Sequence, residues 1–209
     1  MNRIISGLLG LLLSAVVCSA HGATLSVCNT PAALTAGNSG TVDICIAGMV
    51  DGGAPSLGVY DIVLGFNSAV LSLAGVSFGD PVLGDQLDLF SLGSIQSVVP
   101  GAASVALFEL SLDTVDDLNN LQAGDFVLAR LSFDAIAEGL SPLTLTVNSI
   151  GDALGDPLIG LAVQDGSLTV AAAPTHQAPE PASWLLVMIA ILGTTVRERR
   201  VLRSYGIDE

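Results

Sequence analysis

Tyr60-Asp61-Ile62-Val63-Leu64-Gly65-Phe66-Asn67-Ser68-Ala69-Val70-Leu71 decides the fold class. Tyr60, Ile62, Leu64 and Phe66 share one side of an extended chain, and Asp61, Val63 and Gly65 share the other. Successive side chains of a strand point to opposite faces, so this alternation marks a strand with one buried face. Asn67 and Ser68 then supply turn chemistry. The same period recurs in both directions along the chain. Val42, Ile44 and Ile46 alternate with Thr41, Asp43 and Cys45; Ala106, Phe108, Leu110 and Leu112 line up with Glu109 and Ser111 opposite. Val127, Ala129, Leu131 and Phe133 leave Arg130 and Ser132 outward; Leu143, Leu145 and Val147 alternate with Thr144, Thr146 and Asn148; Leu168 and Val170 finish the series. Gly, Asp, Asn and Pro separate these runs, which predicts an all-β antiparallel sandwich.

One segment departs from the period. Thr114-Val115-Asp116-Asp117-Leu118-Asn119-Asn120-Leu121 offers an N-cap at Thr114 with Asp117 three residues on. It predicts one short helix with Leu118 and Leu121 facing inward and Gly124 as its stop.

The two ends have a different character. Met1-Asn2-Arg3 precedes an apolar run over 4–17, and Ser19, Ala20, Gly22 and Ala23 are small. That is the three-part pattern of a secretory signal peptide over 1–23, cleaved somewhere in 20–23. At the other end a linker over 172–178 leads to Pro179-Glu180-Pro181. No charge follows until Arg197, Arg199, Arg200 and Arg203. The apolar stretch predicts a single hydrophobic helix over about 182–196, with its arginines held on the cytoplasmic side. Residues 204–209 are a tail.

Between these ends the chain is a polyanion. Residues 24–178 carry 16 acidic residues and one base, Arg130, and no lysine occurs anywhere. Nucleic acid is excluded as a partner, because it demands a basic footprint. The only histidines, His21 and His176, flank the domain, which removes a Ser-His-Asp triad and a zinc site. Asp85 with Asp88, or Asp116 with Asp117, could serve as a carboxylate pair, but turn and helix-start roles account for them. No enzyme activity and no cofactor are expected. Calcium is a weak possibility, raised by the carboxylate-rich echoes Gly79-Asp80-Pro81-Val82-Leu83-Gly84-Asp85 and Gly151-Asp152-Ala153-Leu154-Gly155-Asp156-Pro157. Cys28 and Cys45 both fall on the polar parity of their strands, so an exported domain could join them. Two independent core cysteines are the alternative.

Two resemblances add to this reading. Pro179-Glu180-Pro181, the hydrophobic run and the arginine cluster together resemble the PEP-CTERM sorting signal over 179–203. That resemblance implies processing by the membrane enzyme exosortase. It also implies transient anchoring in the inner membrane and delivery to the cell surface or an exopolysaccharide matrix. The stretch 60–71, with Gly124-Asp125-Phe126-Val127-Leu128-Ala129-Arg130-Leu131-Ser132-Phe133 and Gly166-Ser167-Leu168-Thr169-Val170, resembles cohesin domains. Asn67 stands where aspartate is commoner in that family. The implied fold over 24–171 is a jelly-roll β-sandwich, shared with some carbohydrate-binding modules. The implied role is a non-catalytic binding or scaffolding module whose partner is a dockerin-like protein engaged through a sheet face. An extracellular polysaccharide is the alternative ligand, and a structural surface protein without ligand is the third possibility. Sugar stacking is disfavoured, because Trp184 lies in the hydrophobic sorting helix and the domain's aromatics, Tyr60 and six phenylalanines, mostly fit core positions.

Overall fold

The computed structural model describes residues 22–174. The leader through residue 21, the sorting residues Pro179, Glu180, Pro181, Arg197, Arg199 and Arg200, the hydrophobic run and the tail lie outside the described residues. The strands are β1 (Thr24–Cys28), β2 (Leu34–Thr35), β3 (Ser39–Ala47), β4 (Leu57–Gly65), β5 (Leu71–Phe78), β6 (Ile95–Pro100), β7 (Ser104–Leu110), β8 (Phe126–Ala135), β9 (Gly139–Asp152), β10 (Ala162–Gln164) and β11 (Gly166–Ala171). Of these, β3, β4, β7, β8, β9 and β11 fall on the alternating runs, whereas β2, β5, β6 and β10 fall outside them. One helix, α1 (Val115–Leu121), joins β7 to β8. The strands form a five-stranded sheet ordered β10-β1-β3-β8-β5 and a six-stranded sheet ordered β2-β11-β9-β4-β7-β6.

The inner faces meet in one core. Leu25, Val42, Ile44, Ile46, Leu131 and Phe133 come from the first sheet; Tyr60, Ile62, Leu64, Val105, Leu107, Leu143 and Leu168 come from the second. All are solvent-inaccessible. Each large apolar side chain buried this way contributes about 1.5–3 kcal/mol. Phe66 and Phe133 meet edge to face at 5.2 Å, carrying the sandwich to the end of β4. The turn after β4 is held by Asn67, whose side-chain oxygen accepts from Ala69 N–H (3.0 Å) while its backbone N–H donates to Ser141 Oγ (2.9 Å). An amide oxygen serves this turn as a carboxylate would.

β7 reverses the face that the alternation suggested. Val105, Leu107 and Glu109 point inward, whereas Ala106, Phe108 and Leu110 lie half-buried on the outside and Leu112 is exposed. Both parities of this strand are apolar, so hydrophobicity alone cannot choose between them. The choice is made by Glu109, which finds partners inside.

The helix is capped as its sequence suggests but packs differently. Asp117 N–H donates to Thr114 Oγ1 at 3.2 Å, and Leu118 is buried. Leu121 is exposed instead of inward: it is the last residue of a seven-residue helix of about two turns, and Leu118 is the one residue of α1 that is buried. Gln122, not Gly124, terminates it. The Gln122 backbone N–H donates to Leu118 O (3.1 Å), its Oε1 accepts from Leu57 N–H (2.6 Å), and its Nε2 donates to Leu57 O and Gln86 O (both 2.9 Å). Gly124 is needed for another reason: a Cβ there would lie 2.7 Å from Met49 O.

Candidate functional site

The two outer sheet faces differ in chemistry. On the five-stranded sheet, antiparallel pairing sets Ser26 opposite Cys45 and Cys28 opposite Asp43, while Asp43 faces Arg130 across β3 and β8. Cys28 and Cys45 form a disulfide there, with Cα atoms 6.0 Å apart. Closing a loop of this length stabilises a fold by about 3 kcal/mol in the chain-entropy model. Asp43, expected on the exposed polar side, is instead buried. Arg130 covers it, donating from Nε to Oδ1 (2.7 Å) and from Nη2 to Oδ2 (2.8 Å), and Asn29 Nδ2 adds a third donor at 3.1 Å. Besides Val127, which pairs with Cys45, this face carries small or polar residues, including Thr41, Ser77, Ser132 and Asp134.

The six-stranded sheet presents an apolar outer face. Cross-strand pairs align Val99 with Ala106 and Val63, Ser97 with Phe108 and Asp61, and Ile95 with Leu110 and Val59. On the β9 side Val63 neighbours Thr146, and Asn148 Nδ2 donates to Asp61 Oδ1 at 3.0 Å. Ile95 and Val99 are exposed, and Phe108, Leu110, Val63 and Val59 are half-exposed. From Leu89 to Phe108 no residue is charged, in a domain that otherwise carries an acid on nearly every loop. The carboxylates Asp85, Asp88 and Asp61 stand at the border of this face or within it. A flat apolar strip framed by acids suits a macromolecular partner with an apolar centre and a cationic rim.

Beneath this face lies a polar cluster that the alternation concealed. Glu109 is wholly inaccessible to solvent. Its Oε2 accepts from Tyr60 Oη (2.9 Å), and its Oε1 accepts from Ser94 Oγ (2.6 Å) and Gln96 Nε2 (2.8 Å). Gln96 Nε2 also donates to Asp85 Oδ2 at 3.1 Å, which draws the 79–94 loop onto the edge of the sheet. Burial pushes the Glu109 carboxyl up to about 7; the Ser94 and Gln96 donors act against that rise, and neighbouring Asp85 adds to it. Burial, followed by the nearby Glu109 charge, likewise drives the Tyr60 hydroxyl upward. No period in the sequence marks this cluster. The one available signal is an acid in mid-strand with apolar residues on both parities around it.

The aspartates weighed for metal or acid–base work are engaged with backbone. Asp80 Oδ1 accepts from Val82 N–H (2.7 Å) and Leu83 N–H (2.9 Å), and its Oδ2 accepts from Val127 N–H (3.0 Å). Partial burial opposes ionisation of Asp80, but these donors and Arg130 hold its carboxyl below the usual range. Asp152 Oδ1 accepts from Leu154 N–H and Asp156 N–H, both at 2.9 Å. Asp85 and Asp88 accept from Leu87 N–H and from Leu92 and Gly93 N–H respectively. Asp116 and Asp117 occupy the first turn of α1. Among the described residues no group of three or more His, Cys, Asp or Glu side chains converges as metal ligands do.

Two packed sheets, antiparallel except for the short parallel edge strands β10 and β2, form an all-β sandwich with one polar and one more apolar outer face. The comparisons agree on that fold. A non-cellulosomal cohesin from the archaeon Archaeoglobus fulgidus superposes with a TM-score of 0.54 at 18% identity, over 72% of this chain and 91% of that one. The seventh ScaB type I cohesin from Pseudobacteroides cellulosolvens gives 0.57 at 16% identity, over 77% and 99%. CaCohA2 from Clostridium acetobutylicum gives 0.52 at 15%, over 72% and 92%. No protein-family model and no curated protein matches the chain.

Proposed function

We propose that this chain is a non-catalytic, exported docking module that binds another protein through the outer face of its six-stranded sheet. The observation that carries the proposal is the apolar strip across β6, β7 and β4 from Ile95 to Val63, whose one acid, Asp61, lies opposite Phe108, with Asp85 at its Gln96 end. Several solved structures of the same fold are complexes of a cohesin with a dockerin. A dockerin-like protein presenting apolar side chains within a basic rim is the partner this chemistry fits. The C-terminal end routes the module: exosortase acts on the Pro179-Glu180-Pro181 signal, leaving the domain at the surface or in the matrix.

Placing a second charge on the strip, in the row Val99–Ala106–Val63, tests the docking face. With the full chain as bait in native extracellular material, Val63→Asp is expected to lose the partner about 100-fold, the cost of desolvating an unpaired carboxylate. Thr41→Asp, on the polar face, is expected to retain it. Equal retention by both variants, or retention on polysaccharide alone, overturns the reading. The routing is tested separately by mass spectrometry of the exported protein, in which the C-terminus is expected to lie upstream of Arg197. An intact end at Glu209 counts against exosortase processing.

A further inference from the structure

We propose that β6 is a self-association edge, along which a second copy of this chain adds antiparallel to continue the six-stranded sheet. Natural sheets guard their edges with very short strands, bulges, charges or proline. Among the described residues β2 and β10 span only two and three residues, and β5 is bulged between Leu73 and Gly75. β6 pairs on one side only, is exposed along all six residues and carries no charge. Its sole guard is Pro100, at the end.

The hairpin shows which backbone groups are free. Gly101 N–H donates to Ser104 O (2.7 Å), and on the far side of β7 Phe66 N–H donates to Ala103 O (3.0 Å). Strand groups alternate in direction, so Ile95, Ser97 and Val99 turn toward β7 while Gln96, Val98 and Pro100 turn to the open edge. Proline lacks an N–H, which leaves Gln96 and Val98 as the free donors. A two-fold axis through Val98 uses them both: Val98 N–H donates to the other copy's Val98 O, and Gln96 N–H to its Pro100 O.

Charge placement fits this register. Glu109 beside Gln96 is buried, and the nearest acid with any exposure, Asp85, lies at the Ile95 end of β6, since Gln96 Nε2 reaches Asp85 Oδ2 at 3.1 Å. Antiparallel pairing sets that end against the other copy's uncharged turn Gly101-Ala102-Ala103, so the acids of the two copies stay apart. Because the axis is normal to the sheet, both apolar faces emerge on the same side. The pair would then offer two adjacent docking strips, although the association does not depend on their being used.

Cysteine placement reads the register directly. In the full chain carrying Cys18→Ser, Val98→Cys puts two thiols on the axis at about 5.5 Å between Cα atoms, within disulfide reach. It is expected to give a dimer on non-reducing gels under mild oxidation, at least about tenfold faster than Ser72→Cys on β5, the margin that selective pairing requires. Val98→Pro removes the axial donor without touching the β7 ladder. Sedimentation equilibrium is expected to show its dimer constant weakened about tenfold or more, from one lost hydrogen bond per copy. Higher salt strengthens this association by screening two polyanions, whereas it weakens docking of a basic-rimmed partner, so the two proposals fail separately. Crosslinking of Val98→Cys no faster than Ser72→Cys, or undiminished association of Val98→Pro, overturns the proposal.

Discussion

Replacing Arg130 by alanine is expected to destabilise the domain by about 3–4 kcal/mol, the range for stripping the partner from a buried charge. Asp43 is 1% exposed, and two of its three donors come from this one guanidinium. Asn29 alone would remain, through a single bond to Oδ2. The Coulomb attraction in the pair is not itself the source of the loss, since the Arg130 side chain is 36% exposed and partly screened. The loss comes from the carboxylate left behind, sealed between β3 and β1 beside the disulfide. Lysine at the same position is expected to recover only part of the stability, because an ammonium cannot reproduce the forked Nε and Nη2 contact. Removing both partners together, as Asp43→Leu with Arg130→Met, is expected to cost much less than Arg130→Ala alone. Urea unfolding of the four proteins checks the order; equal losses for Arg130→Ala and the double replacement would sink the argument.

The second large effect depends on pH and is carried by Glu109. Its folded value of about 7 lies above the ordinary glutamate value of 4.5. The native state therefore holds the proton more tightly than the unfolded chain. The stability this group contributes is fully present below about pH 4.5, declines as pH rises, and is gone above about pH 7. The span corresponds to about 3 kcal/mol at roughly 1.4 kcal/mol per pH unit. Glu109→Gln keeps the shape and an acceptor for Ser94 and Gln96 while removing the titration. The difference in unfolding free energy between the variant and the natural chain is expected to grow by that amount from pH 4.5 to pH 8. Referring one protein to the other cancels the background of the remaining acids, whose mutual repulsion also changes over this window. A difference that stays flat with pH would show that Glu109 does not titrate there.

These two residues also mark the limit of what alternation reveals. Where one parity is apolar and the other polar, as at Val42, Ile44 and Ile46, side-chain period alone orients the strand, and β3, β4, β9 and β11 lie as read. In β8 Ala129, Leu131 and Phe133 do so, but a bulge opposite Ile44 and Cys45 turns Val127 outward and gives Phe126 and Leu128 to the core instead. β7 defeats that logic, because Val105 and Leu107 compete with Ala106, Phe108 and Leu110. The tie is broken by hydrogen bonds from Tyr60, Ser94 and Gln96, which are 49, 15 and 13 residues away in sequence. Asp43 followed its parity, but burial there depends on a side chain from β8, 87 residues distant. The end of α1 shows the same thing: Gly124 was the local stop signal, yet Gln122 stops the helix through bonds to Leu57 and Gln86. Long-range polar pairing has no period and leaves no local trace. The apolar strip over β6 and β7 belongs with these cases, since only the reversal of β7 turns Phe108 and Leu110 outward.

The covering of Asp43 by Arg130 also bears on resistance to proteolysis. A trypsin-like protease cuts after lysine or arginine, and between residues 24 and 178 that leaves one possible bond, after Arg130. That bond lies within β8, hydrogen-bonded to β3 on one side and β5 on the other, and the side chain a protease must capture is already held by Asp43. Even the unfolded chain would yield a single internal cut. The scarcity of bases that makes this surface so acidic also makes the domain nearly invisible to a whole class of proteases.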